Sequence, residues 1–319
     1  MDKKILLTGI ILLALAMPPT AGLSVVSTTS VLWDPILFIG GDRVEAIYIA
    51  DPAICPHVQG DIIPNRIQFQ RDFIANADLF VAINGSVDRE NVMPFVEKFM
   101  TANGYGNVEW TTLQDPSMVW NTPDGARALA REVTGWLVAA DPGNATYYEE
   151  RSGEYIRMID AADLSGEERT VIPGQEAIVM IWQREAVEDW LGLSVVTVFG
   201  PPFYEEGRFV PQMIVDDIIN NPEKYQNVRY VVENMQSGEI AKGIEEALQD
   251  QGIPAKRVVF TNFPRSIDGV DSIPEVLAYN KGLVTPGDEQ TPTPQDAPIQ
   301  PAIAGVAIAG ALLLATRRR

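Results

Sequence analysis

The sequence predicts an α/β protein of two lobes, each with a mostly parallel sheet flanked by helices, joined by a long rigid helix, with a ligand cleft between the lobes. Three observations predict it. Short apolar, β-branched runs alternate with segments of helical spacing. The alternation occurs twice, once before residue 140 and again after residue 166. Between the halves runs a helical stretch that follows the turn sequence Asp141-Pro142-Gly143-Asn144.

In the first half, residues 23–27 read as a strand and 31–39 as a helix that stops at Gly40-Gly41. Residues 44–50 alternate as a second strand and close at Asp51-Pro52. Residues 64–75 have helical spacing, with Ile67, Phe69 and Phe73 facing a core, and 79–83 form a third strand ending at Asn84-Gly85. Residues 108–113 add a fourth. Pro123 opens a helix that continues to residue 139, and 145–161 is the helix expected to join the lobes. The second half repeats the pattern. Strands are predicted at 177–181, 195–199, 228–232 and 257–261, and helices at 185–191, 210–219, 239–249 and 273–279. Ligands of such sheets sit beyond the carboxyl ends of the strands, which directs attention to loops 53–61, 114–122, 180–185 and 261–266.

The ends of the chain bear on its location. Lys3 and Lys4, an apolar run over 5–17 and Pro18-Pro19-Thr20-Ala21-Gly22 have the order of an export signal, expected over 1–21. Residues 302–316 are uncharged and apolar and stop at Arg317-Arg318-Arg319, which predicts a transmembrane tail or sorting signal over 301–319 with the body outside the membrane. The Thr- and Pro-rich segment 285–300 reads as an extended tether. The expected plan is therefore signal 1–21, amino-terminal lobe 22–140, connecting helix 141–165, carboxy-terminal lobe 166–284, tether and tail. The product is expected to be a monomer on the outer face of the cytoplasmic membrane. Asn84-Gly85-Ser86 and Asn144-Ala145-Thr146 are glycosylation sequons that only an exported chain would use.

Composition narrows the chemistry. A net charge of −19 argues against nucleic acid, whose phosphates it would repel. Cys55 is the single cysteine and His57 the single histidine, so no disulfide framework forms. Any triad would have to use His57 as its base, and no nucleophile-elbow, zinc-protease or phosphate-loop motif is present. Scattered carboxylates such as Glu185 and Glu233 are the remaining acid–base candidates, so an enzyme is not expected.

The run Ser24-Val-Val-Ser-Thr-Thr-Ser30, then Gly40-Gly-Asp-Arg-Val-Glu45 and Pro56-His57, resembles the opening of the zinc/manganese-binding solute-binding proteins of ABC importers. Ala75-Asn-Ala-Asp-Leu79 leading to Ile83-Asn-Gly85, Asp141-Pro-Gly-Asn-Ala-Thr-Tyr-Tyr148, Val231-Val-Glu-Asn-Met-Gln-Ser237 and Val276-Leu-Ala-Tyr-Asn280 extend the resemblance over residues 23–284. It implies one ligand site in the interlobe cleft, a divalent metal as cargo, and a membrane permease and cytoplasmic ATPase as partners. It also implies four metal ligands from four loops, and here this sequence departs from the family. His57 occupies the first position. The second falls on Ser117 or Met118, depending on whether Pro116 or Trp120 sets the register. The third loop, Ile181-Trp182-Gln183-Arg184-Glu185, offers only Glu185 as an anion, and the fourth reads Asn262-Phe263-Pro264.

Zinc favours about four nitrogen, sulfur or oxygen donors at roughly 2.0–2.3 Å, which this set does not plainly supply. Several readings follow. A family-like divalent-metal site, for zinc or manganese, would use His57 and Glu185, with Asp268 or Glu233 completing the shell. A soft site, suited to copper(I), would use Cys55, His57 and Met118. A small organic ligand or metal complex would be held by Trp120, Trp182, Phe203 and Tyr204 with Gln183, Arg184, Asn262 and Arg265. A surface adhesin without transport would use none of these. The metal-capturing importer subunit is the reading adopted.

Overall fold

The computed structural model describes residues 22–286. The expected export signal, almost all of the tether and the tail lie outside the described residues. Among the described residues no helix is long and apolar enough to cross a membrane. Two four-stranded sheets, every neighbouring pair parallel, form the framework. The first is ordered β2-β1-β3-β4, with β1 Leu23–Ser27, β2 Val44–Tyr48, β3 Leu79–Ala82 and β4 Trp110–Thr112. The second is ordered β6-β5-β7-β8, with β5 Glu176–Met180, β6 Ser194–Phe199, β7 Val228–Asn234 and β8 Lys256–Phe260. The two orders are the same when matched strand for strand, so the repeat read in the sequence is a repeat of topology. The central strands are buried on both faces: Val25 and Val26 in β1, and Ile178 and Val179 in β5, are 0% exposed.

Helices cover both faces. The longer ones are α1 Ser30–Gly40, α2 Ile62–Phe69, α3 Met93–Ala102, α4 Pro123–Ala140, α5 Ala145–Ala162, α6 Pro211–Asn220, α7 Lys242–Asp250 and α8 Ile273–Gly282. Pro123 stands at the first turn of α4, and Thr122 caps it by accepting from Gly125 N–H at 3.2 Å. α5 buries Tyr148, Ser152, Tyr155, Ile159 and Ala162, a three-and-four spacing that turns one stripe toward α1 and α4. Thr134 Oγ1 donates to Ser152 Oγ at 2.7 Å and joins α4 to α5. At the far end of α5, Asp163 accepts from Trp190 Nε1 at 2.9 Å, and Lys281 Nζ donates to the Asp163 carbonyl at 2.9 Å. The connecting helix is thus fastened at its exit by both the second lobe and α8.

Four expectations are corrected. Residues 64–75 are not one helix: α2 ends at Phe69, and a separate turn, Arg71–Ala75, follows a break at Gln70. Phe69 is 90% exposed because Ile63 and Ile67 already define the inward stripe, and two residues further on the helix faces away. The strand expected over 108–113 shrinks to three residues. The segment expected as an ordinary helix after Glu185 is a π-helical turn, Ala186–Trp190. α8, grouped by sequence with the second lobe, packs on both: Ile273 and Leu277 belong to the same cluster as Val25, Leu32 and Tyr155, while Asn280 Nδ2 donates to the carbonyl of Thr261, just beyond β8, at 2.8 Å.

The junction of α1, α5 and α8 is centred on Asp34. Its Oδ2 accepts from Tyr155 Oη and, at 2.6 Å, from Ile273 N–H. Burial pushes the Asp34 carboxyl up to about 7, against the lowering effect of those two hydrogen bonds. A carboxyl whose pKa is raised on folding binds more protons in the native chain than in the unfolded one. Its contribution is complete below the unfolded value near 4, falls as pH rises, and is lost above about 7. Asp34→Asn is therefore expected to flatten the decline in stability between about pH 4 and pH 7. Urea midpoints across that range measure it, and parallel curves for the two proteins would contradict the assignment.

Candidate functional site

The carboxyl ends of both sheets open on one cavity of ≈ 460 Å³. Thr29 reaches it from β1, Cys55 and His57 from β2, Ile83 and Gly85 to Asp88 from β3 and Pro116 to Asn121 from β4. Trp182 and Glu185 come from β5, Asn234 and Gln236 from β7, and Asn262 and Phe263 from β8. Parallel strands make this convergence, since each delivers its following loop to the same edge.

The lip is the loop after β2. Pro56 starts a single 3-10 turn, Pro56–Val58, which brings Cys55 Sγ to 3.1 Å from His57 Nδ1. Gln59, wholly buried, holds the loop: its Nε2 donates to the carbonyls of Asp51 at 2.8 Å and Ile54 at 2.7 Å, and its Oε1 accepts from Asp51 N–H at 2.8 Å. Burial pushes the Cys55 thiol up from its ordinary value. The exposed His57 ring packs on Phe203 with centroids 5.2 Å apart, and Phe203 lies 6.2 Å from Trp182, but Phe203 and Tyr204, expected as ligand contacts, do not line the cavity.

The floor is a network of neutral amides. Asn121 Nδ2 donates to Gln183 Oε1 at 2.9 Å and to Asn262 Oδ1 at 2.7 Å. Gln183 Nε2 donates to Asn262 Oδ1 at 2.8 Å and Asn234 Oδ1 at 3.1 Å. Trp120 Nε1 donates to the Asn262 carbonyl at 2.7 Å. Asn121 and Trp120 belong to the first half of the chain and the other amides to the second, so the network ties the lobes together. A further tie runs from Gln236 Nε2 to the Pro52 carbonyl at 2.8 Å.

Most residues singled out in the sequence gather here. His57, Cys55, Met118, Glu185, Trp120, Trp182 and Asn262 all line the cavity. Ser117 lines it too, with its hydroxyl donating to Asp115 Oδ1 at 2.6 Å. Gln183 stands behind the surface as the hub of the floor. Arg265 is corrected: it does not line the cavity but lies over the Trp33 ring at 5.2 Å and 3.7 Å from Asp271. Arg184 pairs with Glu188 at 2.7 Å. Glu233 is fully buried in a 2.6 Å ion pair with Arg257, and Asp268 is exposed; neither lines the cavity. Among the described residues no three His, Cys, Asp or Glu side chains form a group able to hold a metal. The full cage expected around His57 is therefore not built from this chain's own anions and imidazole.

Thr29, Asn121, Asn234 and Gln236 went unnoticed in the sequence. The rule that selected the other loops would have found three of them, because Thr29 follows β1 and Asn234 and Gln236 end β7. The sequons also take a definite place. Asn84 lies at φ 63 in the turn whose next residues line the cavity, where a glycan would crowd the cleft. Asn144 Nδ2 donates to Asp141 Oδ2 at 2.7 Å.

Two parallel-sheet lobes, a fastened connecting helix and one interlobe cavity define a solute-binding protein. The family described as "ZnuA: Zinc-uptake complex component A periplasmic" matches residues 25–280, and the chain belongs to that family. Its members are extracytoplasmic binding proteins and not enzymes. Solved structures share the fold. The manganese-bound periplasmic metal-binding protein from Candidatus Liberibacter asiaticus is 16% identical, with a TM-score of 0.61 over 82% of this chain and 98% of its own. The periplasmic zinc-binding protein TroA from Treponema pallidum is 15% identical, with a TM-score of 0.59 over 83% and 98%. A structure of ZnuA is 16% identical, with a TM-score of 0.55 over 82% and 99%.

Proposed function

We propose that the chain is the capture subunit of an ABC importer, that it takes up a transition metal in the interlobe cleft, and that it passes the metal to a membrane permease. The observation that carries this reading is the Cys55–His57 pair, Sγ to Nδ1 3.1 Å, at the lip of the interlobe cavity in a chain of this family. Sulfur and imidazole donors together favour zinc or copper over manganese, which prefers oxygen-rich sites. Glu185 and Met118 line the same cavity and offer an anion and a thioether. That proteins of this fold are described as zinc-binding and manganese-bound supports a metal cargo. Elemental analysis of the full-length protein, purified without chelator or affinity tag, tests the reading. About one equivalent of zinc or copper is expected. Protein that stays metal-free and gains no thermal stability from zinc, manganese or copper(I) would overturn it.

A further inference from the structure

We propose that the cargo is bound as a one-to-one aminocarboxylate chelate, with the metal at Cys55 and His57 and the organic part reaching into the cavity toward Thr29 and Gln236. The inference rests on the metal-capture reading and names the form in which the metal arrives.

Coordination is the first reason. Cys55 and His57 supply two donors, and no third His, Cys, Asp or Glu joins them in a metal-holding group among the described residues. Glu185 lines the cavity outside that group, and the Met118 thioether is a soft donor that suits zinc poorly, so of the roughly four donors zinc needs the missing ones enter with the metal. Size is the second. A bare ion has no use for ≈ 460 Å³, whereas that volume lies within the roughly 300–1,000 Å³ of pockets for small organic molecules.

Two buried polar atoms give the third reason and say what the organic part looks like. Thr29, 2% exposed, lines the cavity, and its Oγ1 has no hydrogen-bond partner among the described residues. Thr29 precedes α1 at the capping position but makes no side-chain cap, so its hydroxyl is not used by the helix. Gln236, 9% exposed, also lines the cavity, and its Oε1 is likewise without a partner. Its amide orientation is fixed, because Nε2 must be the atom facing the Pro52 carbonyl. Leaving such groups unpaired costs about 1–3 kcal/mol each, so a ligand that pairs them gains affinity. Gln236 Oε1 only accepts and therefore asks for an N–H or O–H. Thr29 Oγ1 can donate to a carboxylate oxygen. A metal-bound amine with a carboxylate arm presents both.

Charge is the last reason. No Lys or Arg lines the cavity while Asp88 and Glu185 do, so an anionic complex finds no counter-charge, whereas a one-to-one chelate becomes neutral once Cys55 binds it as thiolate.

The test compares zinc alone, glycine alone, the one-to-one zinc glycinate and zinc alaninate, and the anionic zinc citrate on the full-length protein by calorimetric titration. The one-to-one chelates are expected to bind at least tenfold tighter than zinc alone, and the citrate more weakly. Thr29→Val is expected to weaken the chelates about tenfold while leaving zinc alone unchanged, which also shows that the variant folds. If zinc alone binds as tightly as every chelate, and Thr29→Val leaves all affinities unchanged, the chelate is overturned and metal capture stands. If neither zinc nor any chelate binds, both readings fall. Glycine binding as tightly as the chelates would overturn the role of the metal.

Discussion

Gln183→Leu is expected to lower the unfolding free energy by about 3–5 kcal/mol, the largest stability effect of any single cleft substitution considered. Gln183 is 0% exposed and makes three side-chain hydrogen bonds, to Asn121, Asn262 and Asn234. Leucine is close in volume, so little cavity term enters. The loss comes from polar atoms stranded in a buried site, each costing roughly 1–3 kcal/mol. Gln183→Glu is not a rescue. A carboxylate only accepts, and it would meet Asn262 Oδ1 and Asn234 Oδ1 where Gln183 now donates. Both variants are expected to move the urea midpoint in the same direction. A change below about 1 kcal/mol for either would show that the amide network is not a structural tie between the lobes.

His57→Ala is expected to weaken metal binding by at least 100-fold, and Cys55→Ser by a comparable amount, with little change in thermal stability of the metal-free protein. His57 is exposed and its loop is held independently by Gln59, so removing the ring leaves the fold intact. With two protein donors, losing either leaves one, and chelation by the protein disappears. Titration of the two variants with zinc and with copper(I) measures this. Unchanged affinity in Cys55→Ser would assign the thiol to loop packing and leave His57 to act with Glu185.

Much of the fold was legible because its periodicities are local. The alternation of short β-branched runs and helical stripes marked all eight strands, and the doubled order of β1–β4 and β5–β8 followed from it. What local pattern could not reveal was packing at a distance. Phe69 had a helical spacing shared with the core stripe yet points outward, and α8 returns to the first lobe because Asp34, 239 residues earlier, caps its first turn. The site was legible in the same measure. His57 and Cys55 were rare residues and drew attention by scarcity. Gln183, Asn262 and Asn121 read as ligand contacts or not at all, because a buried amide network shows only when its members are brought together from four loops. Arg265 carried a plausible charge in a plausible loop, but its backbone sits at φ 66 and its side chain lies against Trp33.

The central claim is that the metal meets Cys55 and His57 and draws its other donors from what it carries. X-ray absorption spectroscopy of the zinc-loaded protein, prepared with glycine present, tests this most directly. The account expects one sulfur at about 2.3 Å, one imidazole nitrogen at about 2.0 Å and remaining light-atom donors that change when glycine is replaced by another chelator. A shell that contains no sulfur, or whose light-atom donors stay the same whatever chelator is supplied, would contradict it.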